Sequence, residues 1–292
     1  MKIITFDIEE WAVAKSEGYG SVKLYAEFDH FLGKILDTLD ASGIKGTFFC
    51  TGLMGESFPQ VVRLIQSRGH EIGCHSHLHT WMNKLTETEA REDTHKSVEA
   101  LEQCIGQKVF CYRAPAFSVG ENNKWLFEIL AENGITHDAS VYPTTRNFGG
   151  FPNFGAKVPC YIEQGGVRLK EFPMCMATVF GKDMAYSGGG YFRFFPLWFV
   201  KNCMAKAEYS ICYFHIGDLL PETSGVPTKE YYEAYYKEPG TWKNRHMRYI
   251  KTNIGKKSAF GKLQKLIKAT DFINIEQADR MINWDGVPSI IL

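Results

Sequence analysis

The order of apolar segments along the chain predicts an α/β fold in which parallel strands alternate with crossover helices. Short apolar runs typical of buried strands are followed repeatedly by longer segments with hydrophobic residues at helical spacing. A chain of 292 residues with 45% hydrophobic residues can bury a large core. We therefore expect a (β/α) barrel that forms a single domain over residues 1–292, because no linker or repeat divides the sequence.

The predicted elements alternate regularly over the first half of the chain. The first strand, at 2–7, precedes a helix at 28–41 with apolar residues at helical spacing. The helix predicted at 86–105 begins with Thr86 and Glu89, which are spaced as in a capping box. The other predicted elements of this half are strands at 46–50, 70–74, 109–113 and 136–139 and helices at 59–68 and 124–133.

The regular order stops after Pro143, where a loop rich in glycine, proline and asparagine begins. Beyond it we expect strands at 167–172 and 210–215 and a helix at 195–208. A basic amphipathic segment follows near the C-terminus and contains Lys256, Lys257, Lys262, Lys265 and Lys268. We interpret this segment as a helix that covers the barrel, although its pattern also permits a weak contact with an anionic membrane surface.

Composition excludes some classes of partner and location. The chain has 33 basic and 33 acidic residues, so its charge gives no reason to expect nucleic acid as a partner. Cys50, Cys74, Cys111 and Cys212 lie in predicted strands and are interpreted as small buried side chains in a reducing compartment. No apolar run is long enough to span a membrane, and acidic residues from position 7 onward interrupt any signal peptide. We therefore expect a cytoplasmic protein.

Three histidines stand within five residues directly after the predicted strand at 70–74, in the sequence His75-Ser76-His77-Leu78-His79. Cores rarely collect so many polar rings, because each ring needs a partner when it is buried. If the backbone turns here, His75 and His79 can converge on one metal ion while the Ser76 hydroxyl ties down the loop. A solvated loop that happens to be rich in histidine is the alternative.

The first predicted strand ends in acids, within Phe6-Asp7-Ile8-Glu9-Glu10-Trp11. Asp7 and Glu9 share a face if the strand continues, whereas Glu10 points away. Two carboxylates on one face repel each other unless a cation or a proton lies between them. One of them can therefore bind a metal while the other acts as a base, although a solvated acidic strand end would have the same sequence.

Two further strand ends carry polar residues. Arg113-Ala114-Pro115 follows the predicted strand at 109–113, and an apolar strand delivers His215 at its C-terminal end. In α/β proteins the carboxyl ends of the strands are where ligands bind. A single histidine is more often structural than catalytic, but the position of His215 matches that of Asp7 and of the His75/His79 pair.

Together these residues resemble the polysaccharide deacetylase family, also called the NodB-homology or carbohydrate esterase family 4 proteins. The strand that ends in Asp7 and acids, His75-Ser76-x-x-His79, Arg113-x-Pro115 and the strand that ends at His215 are similar to four of its motifs and occur in its order over residues 3–215. The run from Gly188 to Arg193 and the Asp7-x-Glu9 start are most similar to a branch associated with bacterial surface-polysaccharide biosynthesis. The resemblance implies a distorted or incomplete seven-stranded TIM-like barrel, closed by a C-terminal strand and helices.

The chain departs from the family pattern at two places. The usual adjacent pair of aspartates is replaced by Asp7-Ile8-Glu9, so the acidic metal ligand is Glu9, Glu10 or absent, and the face argument favours Glu9. A further family motif is reduced to the segment around Asp138, which the resemblance assigns as the partner that orients His215.

The resemblance implies a metal-dependent hydrolase that removes an N-acetyl group from an amino sugar or glycan precursor. Glu9, His75 and His79 would hold a divalent ion, and this set suits Zn²⁺ although Co²⁺ and Ni²⁺ would bind. Asp7 would be the general base, paired with Arg113, and His215 the general acid. The alternatives are an amidohydrolase that acts on another C–N bond and a carbohydrate-binding relative without activity.

A cluster of aromatic residues near position 235 permits two interpretations. The side chains can form a wall that stacks on sugar rings, or they can be the packed face of a helix. The cluster consists of Tyr231, Tyr232, Tyr235, Tyr236 and Trp242.

Overall fold

The computed structural model describes residues 1–146, 149–179, 181–221, 225–236 and 238–292, without the side chains of Lys182 and Tyr235. Its strands are β1 (Lys2–Ile8), β2 (Thr47–Cys50), β3 (Glu71–Cys74), β4 (Cys111–Tyr112), β5 (His137–Asp138), β6 (Cys160–Gln164), β7 (Val167–Glu171), β8 (Met176–Val179), β9 (Lys182–Ala185), β10 (Ser210–His215) and β11 (Ser289–Ile291).

The helices surround this set of strands. They are α1 (Glu10–Ser16), α2 (Val22–Asp40), α3 (Gly52–Ser57), α4 (Pro59–Ser67), α5 (Glu87–Ile105), α6 (Leu126–Glu132), α7 (Gly189–Phe194), α8 (Leu197–Lys206), α9 (Ile216–Leu219), α10 (Lys229–Tyr236), α11 (Trp242–Asn253), α12 (Lys256–Ile267) and α13 (Ile275–Met281). Short 3₁₀ turns lie at Met82–Lys84, Pro115–Phe117 and Trp284–Gly286.

Seven parallel strands form the centre of the fold, in the order β10-β1-β2-β3-β4-β5-β7. β6 then pairs antiparallel with β7, and β11 pairs parallel with β6. β8 and β9 form a separate hairpin. The mostly parallel sheet with helices between its strands confirms the predicted α/β, barrel-like fold.

The barrel is incomplete between β7 and β10. The segment that follows β7 lies beside β10, and side chains bridge the two. The Tyr209 hydroxyl donates to the Pro173 carbonyl at 2.8 Å, and the Ser187 hydroxyl donates to the Ile211 carbonyl at 2.7 Å. The C-terminal strand β11 extends the sheet beyond β6, so the expectation that this strand closes the barrel is wrong.

The register of the strands brings their carboxyl ends to one level. Asp7 lies opposite His215, and Asp138 lies opposite Glu171. β1 is buried on both faces, as a parallel strand covered by helices must be, and its apolar residues explain why it forms the centre of the sheet. Polar groups at these strand ends therefore lie at the same end of the sheet.

Local signals explain where several elements begin. α5 begins where the capping box predicts, since the Thr86 hydroxyl accepts from the Glu89 amide and the Glu89 carboxylate accepts from the Thr86 amide. α2 begins at Val22, six residues earlier than predicted from its apolar face, because the Ser21 hydroxyl caps it by accepting from the Leu24 amide at 3.2 Å.

The basic amphipathic segment near the C-terminus forms helix α12. This helix packs on the core through buried Leu263, Leu266 and other apolar residues, which explains its amphipathic pattern. Lys256 is buried, and Lys262 lies over the Phe192 ring at 4.5 Å, whereas Lys257, Lys265 and Lys268 are exposed. Contact of this helix with a membrane surface stays a prediction. Within the described part of the chain, no helix is both long and apolar enough to span a bilayer.

The cysteines are free, and seven of the eight are buried. Cys50, Cys74, Cys111 and Cys212 lie in β2, β3, β4 and β10, where the sequence predicted small buried side chains.

Candidate metal centre and active site

The loop after β3 turns sharply at two residues. Ser76 and His79 have left-handed backbone conformations, with φ of 59° and 60°, which is uncommon for residues other than glycine. The Ser76 carbonyl accepts from the Gly52 amide at 2.9 Å and from the Ser97 hydroxyl at 2.6 Å, and these bonds hold the loop. The expectation that the Ser76 hydroxyl ties down the loop is wrong, since this atom is buried without a hydrogen-bond partner.

This turn brings His75 and His79 together with Glu9, as predicted from the sequence. The Glu9 Oε2 atom lies 2.7 Å from His79 Nε2 and 3.3 Å from His75 Nε2. One ligand atom from each of the three residues lies within 4.8 Å of the other two. The His75 Nδ1 atom is 2.7 Å from the Arg113 carbonyl, to which it donates, so Nε2 of this ring carries the free lone pair.

The three side chains fit a divalent cation. His75 Nε2 and Glu9 Oε2 are buried without a hydrogen-bond partner of acceptable geometry, which is costly unless another group binds them. Burial favours the neutral carboxyl of Glu9, but the neighbouring His79 and His215 outweigh it and hold the pKa of Glu9 well below its usual value. Two imidazoles and an ionised carboxylate are a ligand set typical of zinc and related metals.

Glu10 also faces this region, which corrects the expectation that it points away. The strand does not continue through Glu9, because α1 begins at Glu10. The Glu10 Oε1 atom accepts from the Gly217 amide at 2.6 Å, next to His215 and outside the three-residue cluster. Burial and the charge of Glu9 raise the pKa of Glu10 to about 7.

Asp7 and Arg113 form a buried ion pair beside the cluster, the contact that the resemblance implied. Asp7 Oδ1 accepts from Arg113 Nη1 at 2.8 Å, and the guanidinium is fully buried. The same nitrogen donates to the Thr5 hydroxyl at 2.7 Å, and the guanidinium lies 4.2 Å from the centre of the Phe49 ring. These contacts fix one oxygen of Asp7 and leave Oδ2 facing His215.

His215 lies at the end of β10 opposite Asp7. Its Nε2 atom is 3.7 Å from Asp7 Oδ2 and 3.8 Å from Glu9 Oε1, and its Nδ1 atom is 2.9 Å from Asp218 Oδ2. Burial favours the neutral ring, but the charges of Glu9, Asp218 and Asp7 prevail and raise the pKa of His215 well above its usual value. The ring can therefore carry a proton at neutral pH.

Asp138 does not contact His215, so its assignment as the orienting partner is wrong. It lies on β5, far along the sheet from β10, and its carboxylate accepts from the Ser140 hydroxyl at 2.5 Å. Burial and the adjacent Asp138 raise the pKa of Glu171 well above its usual value, which favours the protonated form of Glu171 beside Asp138. The Ser140 hydroxyl accepts from the Ala114 amide at 2.8 Å, so this network supports the loop that carries Arg113.

Asp218 and Arg193 are the site residues that the sequence analysis missed. Asp218 pairs with His215 through one oxygen and lies 3.1 Å from Arg193 Nε through the other. Burial would raise the pKa of Asp218, but His215 and Arg193 together hold it below its usual value. The sequence did contain a signal for Asp218, because this aspartate follows His215 by three residues at a strand end. Arg193 belongs to the glycine-rich run noted above.

A cavity of about 410 Å³ opens onto these groups and is lined by Glu9, Glu10 and His215. Of the aromatic cluster, Tyr231 and Tyr236 line this cavity, and the Tyr235 side chain lies outside the described residues. Tyr232 is buried, whereas Trp242 is 69% exposed. The cluster therefore serves partly as a cavity wall and partly as helix packing.

The fold and the site together define a class of protein, an incomplete (β/α) barrel with histidines and carboxylates gathered at the carboxyl ends of its parallel strands. Residues 4–137 match the sequence profile of the polysaccharide deacetylase family, and residues 139–280 match a domain of unknown function (DUF3473). The N-terminal segment, residues 4–137, is therefore a polysaccharide deacetylase domain, which confirms the resemblance noted from its motifs. Strands from both matched segments lie in one sheet.

Among the curated relatives, two are similar to part of the chain. A peptidoglycan-N-acetylglucosamine deacetylase from Bacillus cereus is 35% identical over 127 residues, which are 41% of this chain and 46% of the relative. The peptidoglycan-N-acetylmuramic acid deacetylase PdaA from Bacillus subtilis is 28% identical over 97 residues, 32% of this chain and 37% of the relative. The matches thus span less than half the length of these relatives.

The similar solved structures include one with a TM-score above 0.5. A putative polysaccharide deacetylase from Mycobacterium smegmatis has a TM-score of 0.64 at 17% identity and covers 100% of this chain and 92% of its own. At this identity the likeness supports the fold alone.

Proposed function

We propose that the chain is a metal-dependent deacetylase that hydrolyses the N-acetyl group of an amino sugar in a glycan or glycan precursor and releases acetate. The observation that carries the proposal is the convergence of Glu9, His75 and His79 beside two further groups, a carboxylate and an imidazole, that lie 3.7 Å apart. The relatives named as deacetylases of peptidoglycan sugars support the same reaction class.

Glu9, His75 and His79 would hold the ion through one carboxylate oxygen and two imidazole nitrogens. When bound, a divalent ion supplies a Lewis acid that makes water more acidic and polarises the acetyl carbonyl. The protein prepares the ligands itself, because the Arg113 carbonyl fixes the tautomer of His75 and the loop bonds at Ser76 fix the turn.

Asp7 and His215 divide the proton transfers between them. Asp7 Oδ2 takes a proton from the attacking water, while Oδ1 stays paired with Arg113. The water oxygen bonds to the acetyl carbon, the C–N bond breaks, and the nitrogen takes a proton from His215 Nε2. An amine leaving group needs this acid, because an amide anion is too basic to depart at neutral pH. Asp218 holds the other ring nitrogen and stabilises the protonated form.

We propose that the substrate is a bacterial surface-polysaccharide precursor, because the glycine-rich run that ends at Arg193 and the Asp7-x-Glu9 start are similar to that branch of the family. A cytoplasmic location and zinc as the resident metal stay predictions.

The proposed reaction predicts that the zinc-loaded protein releases acetate from N-acetylated sugar precursors. Mass spectrometry of candidate substrates should show a loss of about 42 mass units, the acetyl group expected from this hydrolysis. The metal-free protein is the control and should leave the substrates unchanged. No acetate from any N-acetylated sugar with zinc, cobalt or nickel would favour the carbohydrate-binding alternative.

The role of Asp218 predicts a change in the pH profile. His215 must be protonated to act as the acid, so turnover falls as pH rises through the pKa of His215. Asp218→Asn removes a negative charge beside the ring and lowers that pKa, so the fall of turnover at alkaline pH should begin at lower pH.

His215→Ala should lower kcat by roughly 10²–10⁴-fold and leave the metal bound, because it removes the proton donor.

The matched control for Asp218→Asn is Asp279→Asn, which changes an aspartate paired with His137 at 3.3 Å away from the site. Its pH profile should equal that of the parent. If Asp218→Asn leaves the alkaline limb in place, Asp218 does not support the acid; if His215→Ala unfolds or loses metal, His215 is a structural residue or a ligand.

A further inference from the structure

A second cavity, of about 340 Å³, lies next to the one that contains His215, and Arg248 lines both. Its lining includes three cations, Arg146, Arg248 and Lys251, but a single carboxylate, Glu238. That carboxylate already accepts from the Tyr232 hydroxyl at 3.1 Å. The whole chain has as many acidic as basic residues, so the positive charge of this cavity is a local concentration.

Arg146 is held in place without an acidic partner. Its guanidinium lies 4.4 Å from the centre of the Tyr142 ring and 5.1 Å from that of Phe117, and it donates weakly to the Ala116 carbonyl at 3.5 Å. Among the described residues, no carboxylate lies within ion-pair distance of Arg146 or Lys251. A guanidinium stacked on aromatic rings keeps its N–H edge available for a planar or tetrahedral oxyanion.

The cavity is connected to the catalytic residues through two short paths. Phe117, under Arg146, packs on Tyr213 with ring centres 4.9 Å apart, and the Tyr213 ring is 5.9 Å from that of His215. Arg193, which pairs with Asp218, donates to the Lys251 carbonyl at 3.2 Å and also to the Thr252 carbonyl. The part of α11 that carries Lys251 is therefore fixed relative to the site.

We propose that this cavity binds an oxyanion, a phosphate or a carboxylate, carried by the same molecule whose N-acetyl group lies at His215. The inference rests on the proposed function and narrows its substrate class to anionic sugars. An oxyanion supplies the negative charge that the cavity lacks. Because Arg248 lines both cavities, one molecule can place its oxyanion here and its acetyl group beside His215. The source is either a phosphate at the anomeric position or an acidic neighbouring sugar.

The test compares binding of matched pairs that differ only in the charged group. N-acetylglucosamine 1-phosphate is paired with methyl N-acetylglucosaminide, and methyl glucuronide is paired with methyl glucoside. Calorimetry with the zinc-loaded full chain should show about tenfold tighter binding of the charged member of one pair, as expected for charge-assisted hydrogen bonds. The measurements are repeated on metal-free protein, where the preference should persist because it does not depend on the metal.

The preference should be lost in Arg146→Gln and reduced in Lys251→Gln, and it should be retained in Lys243→Gln, an exposed lysine on the same helix that lies outside the cavity lining. A preference in the first pair identifies a phosphate, and one in the second pair identifies an acidic sugar. Equal affinity for both members of both pairs overturns the proposal, as does a preference that survives both substitutions or disappears with the metal.

Lys251→Gln keeps the test decisive if Arg146→Gln fails to fold, because Lys251 is exposed. The metal-free protein does not turn over these sugars, so the binding measured on it is independent of deacetylation. A charge preference without acetate release would leave the cavity assignment standing and would contradict only the proposed reaction.

Discussion

Asp7→Asn should abolish nearly all turnover while the metal stays bound. The asparagine keeps the size of the side chain and an oxygen that can accept from Arg113 Nη1, now 2.8 Å from Asp7 Oδ1. It cannot take a proton from water, so we expect kcat to fall about 10²-fold or more. Acetate release and metal content measured on the same preparation check both parts of the result.

A suitable control for this variant is Asp37→Asn, which removes an exposed ion pair with Arg68 and should leave turnover unchanged. Circular dichroism before the assay separates loss of the base from loss of the fold, since Arg113 is fully buried and depends on its partner. Turnover at the parent rate in Asp7→Asn would refute the assignment as base, and loss of metal would make Asp7 a ligand.

His79→Ala should lose most of the bound metal. The variant leaves Glu9 and His75 as protein ligands, and two ligands seldom hold zinc against water. Elemental analysis after dialysis measures the occupancy, and activity should fall with it. Full metal content in His79→Ala would contradict the assignment of His79 as a metal ligand.

The same chain offers two matched controls. His77→Gln changes a histidine of the same loop that lies 3.7 Å from Glu56 and outside the cluster, so metal content should be retained. Glu9→Ala should weaken metal binding, whereas Glu10→Ala should not, because Glu10 accepts from the Gly217 amide. The reverse result for the two glutamates would move the acidic ligand to Glu10.

The outline of the fold could be predicted because its signals are local. The strand at Ser210–His215 is an apolar run, and the helix at Glu87–Ile105 has apolar residues at helical spacing and a capping box. Each of these signals lies within the segment that forms the element. Most of the elements that were not predicted are short, such as α3 (Gly52–Ser57) and β6 (Cys160–Gln164), but the longer helix α11 (Trp242–Asn253) was not predicted either. The adjacent glycines Gly165 and Gly166, both with positive φ, are typical of a turn between two hairpin strands and could have predicted the β6–β7 hairpin. The place of this hairpin in the sheet depends on distant parts of the chain.

The site shows the same division between local and distant information. His75 and His79 are four residues apart, so their convergence needs only the turn at Ser76 and His79. The partner of His215 was assigned to Asp138, which lies on another strand, and the structure has Asp218 instead. The direction of Glu10 was also wrong, because the strand ends at Ile8 and a helix follows at once.

By itself, the sequence determined the class of fold, the strand ends that carry polar residues and the His75/His79 pair, because each depends on spacing within a short segment. Only the tertiary structure decided which of these groups meet. The order of the strands places Asp7 between His215 and Arg113, and it separates Asp138 from His215. Asp7 is more than a hundred residues from each of these two partners along the chain, so the packing of the whole sheet determines their contacts.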